Sequence, residues 1–286
     1  MDPQTAALAR SVRRFLETVQ AELDHSGEEL TPLGRTVQEF LGVELSAVEP
    51  ITEQFPPHQA VDLDLALESL LAAHDGRLLG VAGPDRAHLE SITDFLRYSH
   101  FRFAPGPVSY IRMPTGPGRD RRVVAFGLGL LQLDHVPLVV LVRAANPRYG
   151  REFVTLEVLC PTASTSETFL AGVRRRMAEQ SILRGQVVSF SRNDFDYHAP
   201  GGALTFLGRP EVGADQVILP DGLLERVTRH VVGIGQRSDQ LRAAGQHTKR
   251  GVLLYGPPGT GKTHLVRHLL TATPDTTAVL LSGKSL

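Results

Sequence analysis

The stretch GVLLYGPPGTGKT, residues 251–263, decides the fold class of this 286-residue chain. Its first five residues form a continuous apolar run, which is typical of a buried parallel strand. The remaining eight match the pattern G-x-x-x-x-G-K-[ST], with Gly256, Gly261, Lys262 and Thr263 at the fixed positions. A strand that leads directly into such a loop predicts a phosphate-binding loop, or P-loop.

The residue types of this loop suit a phosphate for physical reasons. Glycines let the backbone approach phosphate oxygens, and successive N–H groups then form an anion nest at the start of a helix. We expect the Lys262 ammonium to bridge the β- and γ-phosphates and the Thr263 hydroxyl to coordinate Mg²⁺. Residues 264–270 are compatible with that helix, and 277–281 predict a second strand. A chance glycine-rich turn is the competing interpretation, and the correct flanks disfavour it.

The filler residues of the loop make a family resemblance specific. Residues 249–263 resemble the Walker A region of AAA-family ATPases, and 279–283 are similar to the second strand of that family's core. Close similarity covers about 38 residues, from Lys249 onward. The resemblance implies ATP and Mg²⁺ as cofactors, Lys262 and Thr263 as catalytic residues, and Thr263 as the Mg²⁺ ligand. The nucleotide-binding residues that it implies are Gly256, Pro257, Pro258, Gly259, Thr260, Gly261, Lys262, Thr263 and His264.

The resemblance also implies a function for the complete protein. Family members couple ATP binding and hydrolysis to the remodelling of a protein substrate, and they work as rings with ATP bound between subunits. No acidic Walker B strand end, polar sensor or arginine finger can be identified in the 23 residues after Thr263. We therefore expect this chain to be the N-terminal part of a longer ATPase, with its substrate unidentified.

Two alternatives remain open at this stage. The chain as given can be a non-catalytic interaction module that carries a truncated, vestigial nucleotide site. A nucleic-acid-dependent ATPase is the other, but the net charge of −1 and the pI of about 6.8 disfavour a nucleic-acid partner.

The predicted secondary structure changes along the chain before the loop. The fold class that we predict is α/β overall. Residues 1–98 are mostly helical, with an apolar stripe over 3–24 and a helix that Thr31 caps. Residues 99–209 predict an α+β domain that recognises a substrate or partner, with a helix from Ser164 onward. Residues 210–286 hold a lead-in and the start of a P-loop parallel-sheet domain: strand, P-loop, helix, strand. The strands predicted in the middle domain are 108–113, 122–133, 136–143, 152–159 and 186–190.

Composition bounds the class of protein and its compartment. With 42% apolar and 21% charged residues, the chain is an ordinary globular sequence rather than a disordered one. The longest apolar run, 123–131, is too short for a membrane helix, which needs about 20 residues. The single Cys160 fits a reducing compartment. We expect a cytoplasmic protein with no membrane partner.

Two further side-chain patterns are weaker. His264 and His268 lie four apart on the expected helix, a spacing that can hold a metal, but no third ligand is evident. Arg174, Arg175 and Arg176 are consecutive on a helix and point in different directions, which favours a solvated face over a phosphate site.

Overall fold

A computed structural model describes residues 30–84, 89, 91–97, 102–190 and 204–281. The helix predicted over 3–24 lies outside the described residues. The described residues form two compact units. The first comprises most of residues 30–113 and 120–181, and the second comprises 114–119, 182–190 and 204–281.

The described residues contain both helices and strands. The helices are α1 (Pro32–Leu41), α2 (Ala60–Ala73), α3 (Ile92–Arg97), α4 (Ala163–Gln180), α5 (Leu223–Gln236), α6 (Ser238–Ala243) and α7 (Lys262–Thr271). The strands are β1 (Ile51–Phe55), β2 (Arg77–Ala82), β3 (Ala104–Gly106), β4 (Ser109–Gly116), β5 (Arg119–Leu133), β6 (Val136–Arg143), β7 (Val154–Leu159), β8 (Val187–Phe190), β9 (Leu204–Leu207) and β10 (Ala278–Leu280). None of these helices combines the length and the apolar character that crossing a membrane would require.

One antiparallel sheet organises the first unit. Its strand order is β1-β7-β6-β5-β2-β3, and β4 pairs with β5. Strands β1 and β2 come from the segment that we predicted to be mostly helical, yet they pair with β7 and β5. The helical segment and the α+β segment therefore share this sheet. Strand β1 escapes prediction because prolines flank it, and its position at the edge of the sheet tolerates them.

Helices α1 and α3 cover one face of this sheet. The predicted cap of α1 is confirmed, since the Thr31 Oγ1 accepts the N–H of Gly34 at 3.0 Å. The same hydroxyl donates to the carbonyl of Phe95 at 2.8 Å, which ties α1 to α3. Buried apolar side chains fill the space between these helices and the sheet, among them Leu33, Val37, Ile92, Phe95, Phe103, Leu128, Val139 and Leu141.

Helices α2 and α4 pack against each other within the same unit, and ion pairs join them to the sheet. Arg174 of α4 donates to both carboxylate oxygens of Glu53 at 2.7 and 2.8 Å, and its side chain stays 60% exposed, as a solvated face requires. Asp64 of α2 accepts the backbone N–H of Val124 and the guanidinium of Arg121, each at 2.9 Å. Burial raises the pKa of Asp64, and these two donors oppose that rise.

A charged pair is buried at the end of the α1 and α3 face. Arg143 of β6 donates to Glu157 of β7 at 2.6 Å, and the side chains are only 5% and 2% exposed. Glu157 also accepts the N–H of Ile92 at 2.7 Å and the hydroxyl of Ser91 at 3.2 Å. Its carboxylate therefore occupies the N-terminus of α3, where the positive end of the helix dipole favours an anion.

The second unit differs most from expectation. Its sheet has the order β10-β8-β9, with β10 parallel to β8 and β9 antiparallel to it. Strand β8, which we predicted in the middle domain, thus belongs to this sheet. Residues 251–255 do not form the predicted strand, and Leu253 and Tyr255 are 91% and 97% exposed. Among the described residues no strand pairs with this run, and an apolar run becomes a buried strand only where a partner covers it.

The buried pair gives a stability prediction. Glu157→Gln leaves the Arg143 guanidinium buried without its counter-charge, so we expect the free energy of unfolding to fall by about 3–5 kcal/mol. Urea denaturation followed by circular dichroism measures the loss. Glu53→Gln is the matched control, because its partner Arg174 is 60% exposed and water compensates it. Equal losses in the two variants would contradict the assigned role of Glu157.

Candidate functional site

The glycine-rich loop leads into α7 through two residues with left-handed backbones. Gly259 has φ 81° and Gly261 has φ 80°, a region in which a side chain would be strained. Gly261 is also the N-cap of α7, so the helix begins at Lys262, two residues before the predicted range of 264–270. The first N–H groups of a helix lack partners inside it, and they therefore face the loop as donors for an anion.

The Lys262 side chain folds back over this loop. Its Nζ donates to the carbonyls of Gly256 at 2.8 Å and Pro257 at 2.7 Å, and it lies 3.3 Å from the Oγ1 of Thr260. Thr260 in turn donates to the Pro257 carbonyl at 2.9 Å. The ammonium is thereby held beside the N-terminus of α7, and both contribute positive potential at the same place. The Thr263 side chain is exposed on the first turn of the helix.

The two histidines of α7 contact the lead-in segment, residues 209–217, of the same unit. The Nε2 of His264 lies 3.0 Å from the carbonyl of Gln216, and the Nδ1 of buried His268 lies 2.9 Å from the carbonyl of Val212. Each ring thus has a carbonyl as a partner. The described residues contain no group of three or more His, Cys, Asp or Glu side chains that could hold a metal ion.

A third contact extends this row to the end of the helix. The Thr271 hydroxyl accepts the N–H of Val212 at 3.0 Å and donates to the Pro210 carbonyl at 2.8 Å. His264, His268 and Thr271 are spaced four and three apart, so they lie on one face of α7. The lead-in segment therefore runs along the length of the helix whose first turn carries the loop.

Arg209 fixes the C-terminal end of α7. Its guanidinium donates to four backbone carbonyls, and three of these contacts measure 3.0 Å or less and lie outside the helix. A guanidinium has five N–H donors in a fixed plane, so it can satisfy several carbonyls at once. Sequence reasoning missed Arg209, because its surroundings read as a linker. The four carbonyls belong to Gly185, Leu270, Thr273 and Thr276.

Comparisons with known proteins match one family model and two curated relatives. A family model described as the AAA ATPase domain matches residues 235–285. The ATP-dependent zinc metalloprotease FtsH 1 of Symbiobacterium thermophilum is 27% identical over 175 residues, which cover 58% of this chain and 24% of that protein. The ATP-dependent zinc metalloprotease FtsH 1 of Thermomicrobium roseum is 32% identical over 162 residues, or 56% of this chain and 22% of that protein. The chain thus spans about a quarter of the length of these curated relatives.

The Arg209 contacts give a prediction about local stability. Arg209→Gln removes most of the donors to the loop after α7, so we expect backbone amides in residues 271–276 to exchange hydrogen at least tenfold faster. Hydrogen exchange with mass spectrometry measures this. Arg267→Gln is the matched control, since it removes an exposed arginine from the same helix. Unchanged exchange in Arg209→Gln, or the same acceleration in both variants, would contradict the role of Arg209.

Proposed function

We propose that residues 256–264 form the ATP site of an AAA-family P-loop ATPase, and that the complete protein couples ATP binding and hydrolysis to remodelling of a protein substrate. One observation carries the proposal. The glycine loop turns through two left-handed residues, Gly259 and Gly261, into the N-terminus of α7, and the Lys262 ammonium lies over it. This arrangement concentrates positive potential and N–H donors where a polyphosphate would bind.

The residues at this site fit a magnesium nucleotide. The backbone of 256–261 supplies N–H donors to phosphate oxygens, and Lys262 supplies a compact cation for the β- and γ-phosphates. The exposed hydroxyl of Thr263 is suited to bind Mg²⁺, which neutralises phosphate charge when bound. His264 lies one residue further and ties the first helical turn to the lead-in segment. Lys262 and Thr263 are therefore the residues that we assign to the chemistry.

The remaining parts of the proposal concern the complete protein. We assign the first unit to recognition of a substrate or partner, because it has a core of its own apart from the nucleotide loop. We also propose self-association into a ring with nucleotide between subunits, which the resemblance to the AAA family supports. The names of the two relatives support ATP dependence. A cytoplasmic location is consistent with the single buried Cys160.

The nucleotide site gives the central mutational prediction. Lys262→Ala removes the ammonium from the loop, and charge-assisted hydrogen bonds contribute about 1.5–3 kcal/mol each. We expect the dissociation constant for a fluorescent ATP analogue with Mg²⁺ to rise at least tenfold, as measured by fluorescence anisotropy. Lys249→Ala is the control, because Lys249 lies outside the loop. Unchanged affinity in Lys262→Ala would remove the basis of the assignment.

Phosphate release in the same preparations separates hydrolysis from binding alone. Turnover that Lys262→Ala abolishes supports an enzyme already competent in this chain. Nucleotide binding without turnover supports the alternative, a non-catalytic module at this length of chain. Stimulation by DNA or RNA that weakens with salt would instead favour the nucleic-acid-dependent ATPase.

A further inference from the structure

A cavity lies in the first unit, and residues of that unit alone line it. Its volume is about 510 Å³, within the range of about 300–1,000 Å³ that small-molecule sites occupy. It opens on the sheet face that α1 and α3 cover elsewhere, beyond the buried pair of Arg143 and Glu157. The loop over residues 149–153 forms its other wall.

The floor of this cavity is a row of polar side chains across three strands. Gln54 of β1 lies opposite Thr155 of β7, and Thr155 lies opposite Arg143 of β6. Directly paired residues share a face, so these three side chains point the same way. Thr155 is only 5% exposed, while Gln54 lies exposed on the edge strand β1. The Thr155 hydroxyl and the Gln54 amide can each donate a hydrogen bond, so this floor is suited to a polar ligand.

Arg151 provides positive charge on the opposite wall. Its Nε donates to the Ala144 carbonyl at 3.2 Å, while its two Nη groups have no partner within the described part of the chain. Burial, and then the nearby charge of Arg143, lower the pKa of Arg151. Arg143 already has Glu157 as its counter-ion. The charge of Glu157 opposes this lowering, but no carboxylate of the described residues forms a direct ion pair with the half-buried Arg151 fork.

We propose that this cavity binds an organic monocarboxylate whose body is apolar. The Arg151 fork matches a carboxylate in a bidentate geometry, and the Thr155 hydroxyl and Gln54 amide add donors from the floor. Tyr149 and Phe153 line the mouth, 43% and 41% exposed, and they present aromatic surface to the body of the ligand.

The charges around the cavity select this anion over phosphate. Glu157 lies below the floor, bonded to Arg143, and the exposed Glu152 lies on the rim. A dianion would meet repulsion from both carboxylates, while a single negative charge is matched by Arg151 alone. The site therefore takes a carboxylate in preference to a phosphate group.

Calorimetry on the full chain with 3-phenylpropanoate tests this proposal. We expect binding that 3-phenylpropanamide and inorganic phosphate do not reproduce, and a dissociation constant at least tenfold higher in Arg151→Gln. Thr155→Val, which keeps the side-chain volume, should also weaken binding. Arg148→Gln is the matched control, since it removes a charge from the same loop but not from the cavity lining. Lys262→Ala should bind the carboxylate as the unmodified chain does, so the result is independent of the nucleotide site.

A peptide arm identifies the source of the carboxylate. The probe is acetyl-Gly-Phe-Glu-Gly-amide, in which an acidic side chain follows an aromatic residue. Binding tighter than that of 3-phenylpropanoate, and still sensitive to Arg151→Gln, supports a protein segment as the ligand. Weaker but Arg151-dependent binding supports a free carboxylate. Binding of neither probe, tighter binding of phosphate, or equal effects of Arg151→Gln and Arg148→Gln would overturn the proposal.

Discussion

The carboxylate of Glu157 connects β7, β6 and α3 of the first unit. It lies at the end of the apolar core of that unit. It accepts hydrogen bonds from Arg143 on the neighbouring strand and from Ile92 and Ser91 at the start of α3. A charge that is almost fully buried persists only when it is paired and hydrogen-bonded. The Arg143–Glu157 pair therefore holds α3 on one half of the sheet face. Polar side chains occupy the other half. The cavity beside Arg151 is a consequence of that division.

In the second unit, the groups that need hydrogen-bond partners are backbone carbonyls. Arg209, Lys262 and His268 each contact carbonyls of loops around α7, in a unit with few buried apolar side chains. These polar contacts hold the lead-in segment along α7 and the ammonium over the glycine loop. The apolar run 251–255 remains exposed beside them. The geometry of the proposed nucleotide site therefore depends on local hydrogen bonds, within the described residues, more than on a surrounding sheet.

Sequence patterns correctly predicted the features that depend on residues close together in the chain. The cap of α1, the helix after the glycine loop and the turn between β5 and β6 follow from residue types alone, and Asp134 and His135 take the positive φ angles that such a tight hairpin requires. Pairing partners and side-chain contacts distant in sequence did not follow. Strand β8 was assigned to the middle domain, whereas it pairs with β9 and β10 of the second unit, and the roles of Arg209, Glu157 and Arg174 were missed. The helix start was also misjudged at Ser164, since Ala163 begins α4.

Hydrogen exchange with and without a non-hydrolysable ATP analogue and Mg²⁺ tests the central claim most directly. The loop geometry predicts that nucleotide slows exchange at the backbone amides of residues 256–265, which would donate to the phosphates or form the first turn of α7. Amides of the β5, β6 and β7 strands, in the other unit, should not change. Absence of protection over 256–265, or protection that appears only in the first unit, would contradict the assignment of this loop as the nucleotide site.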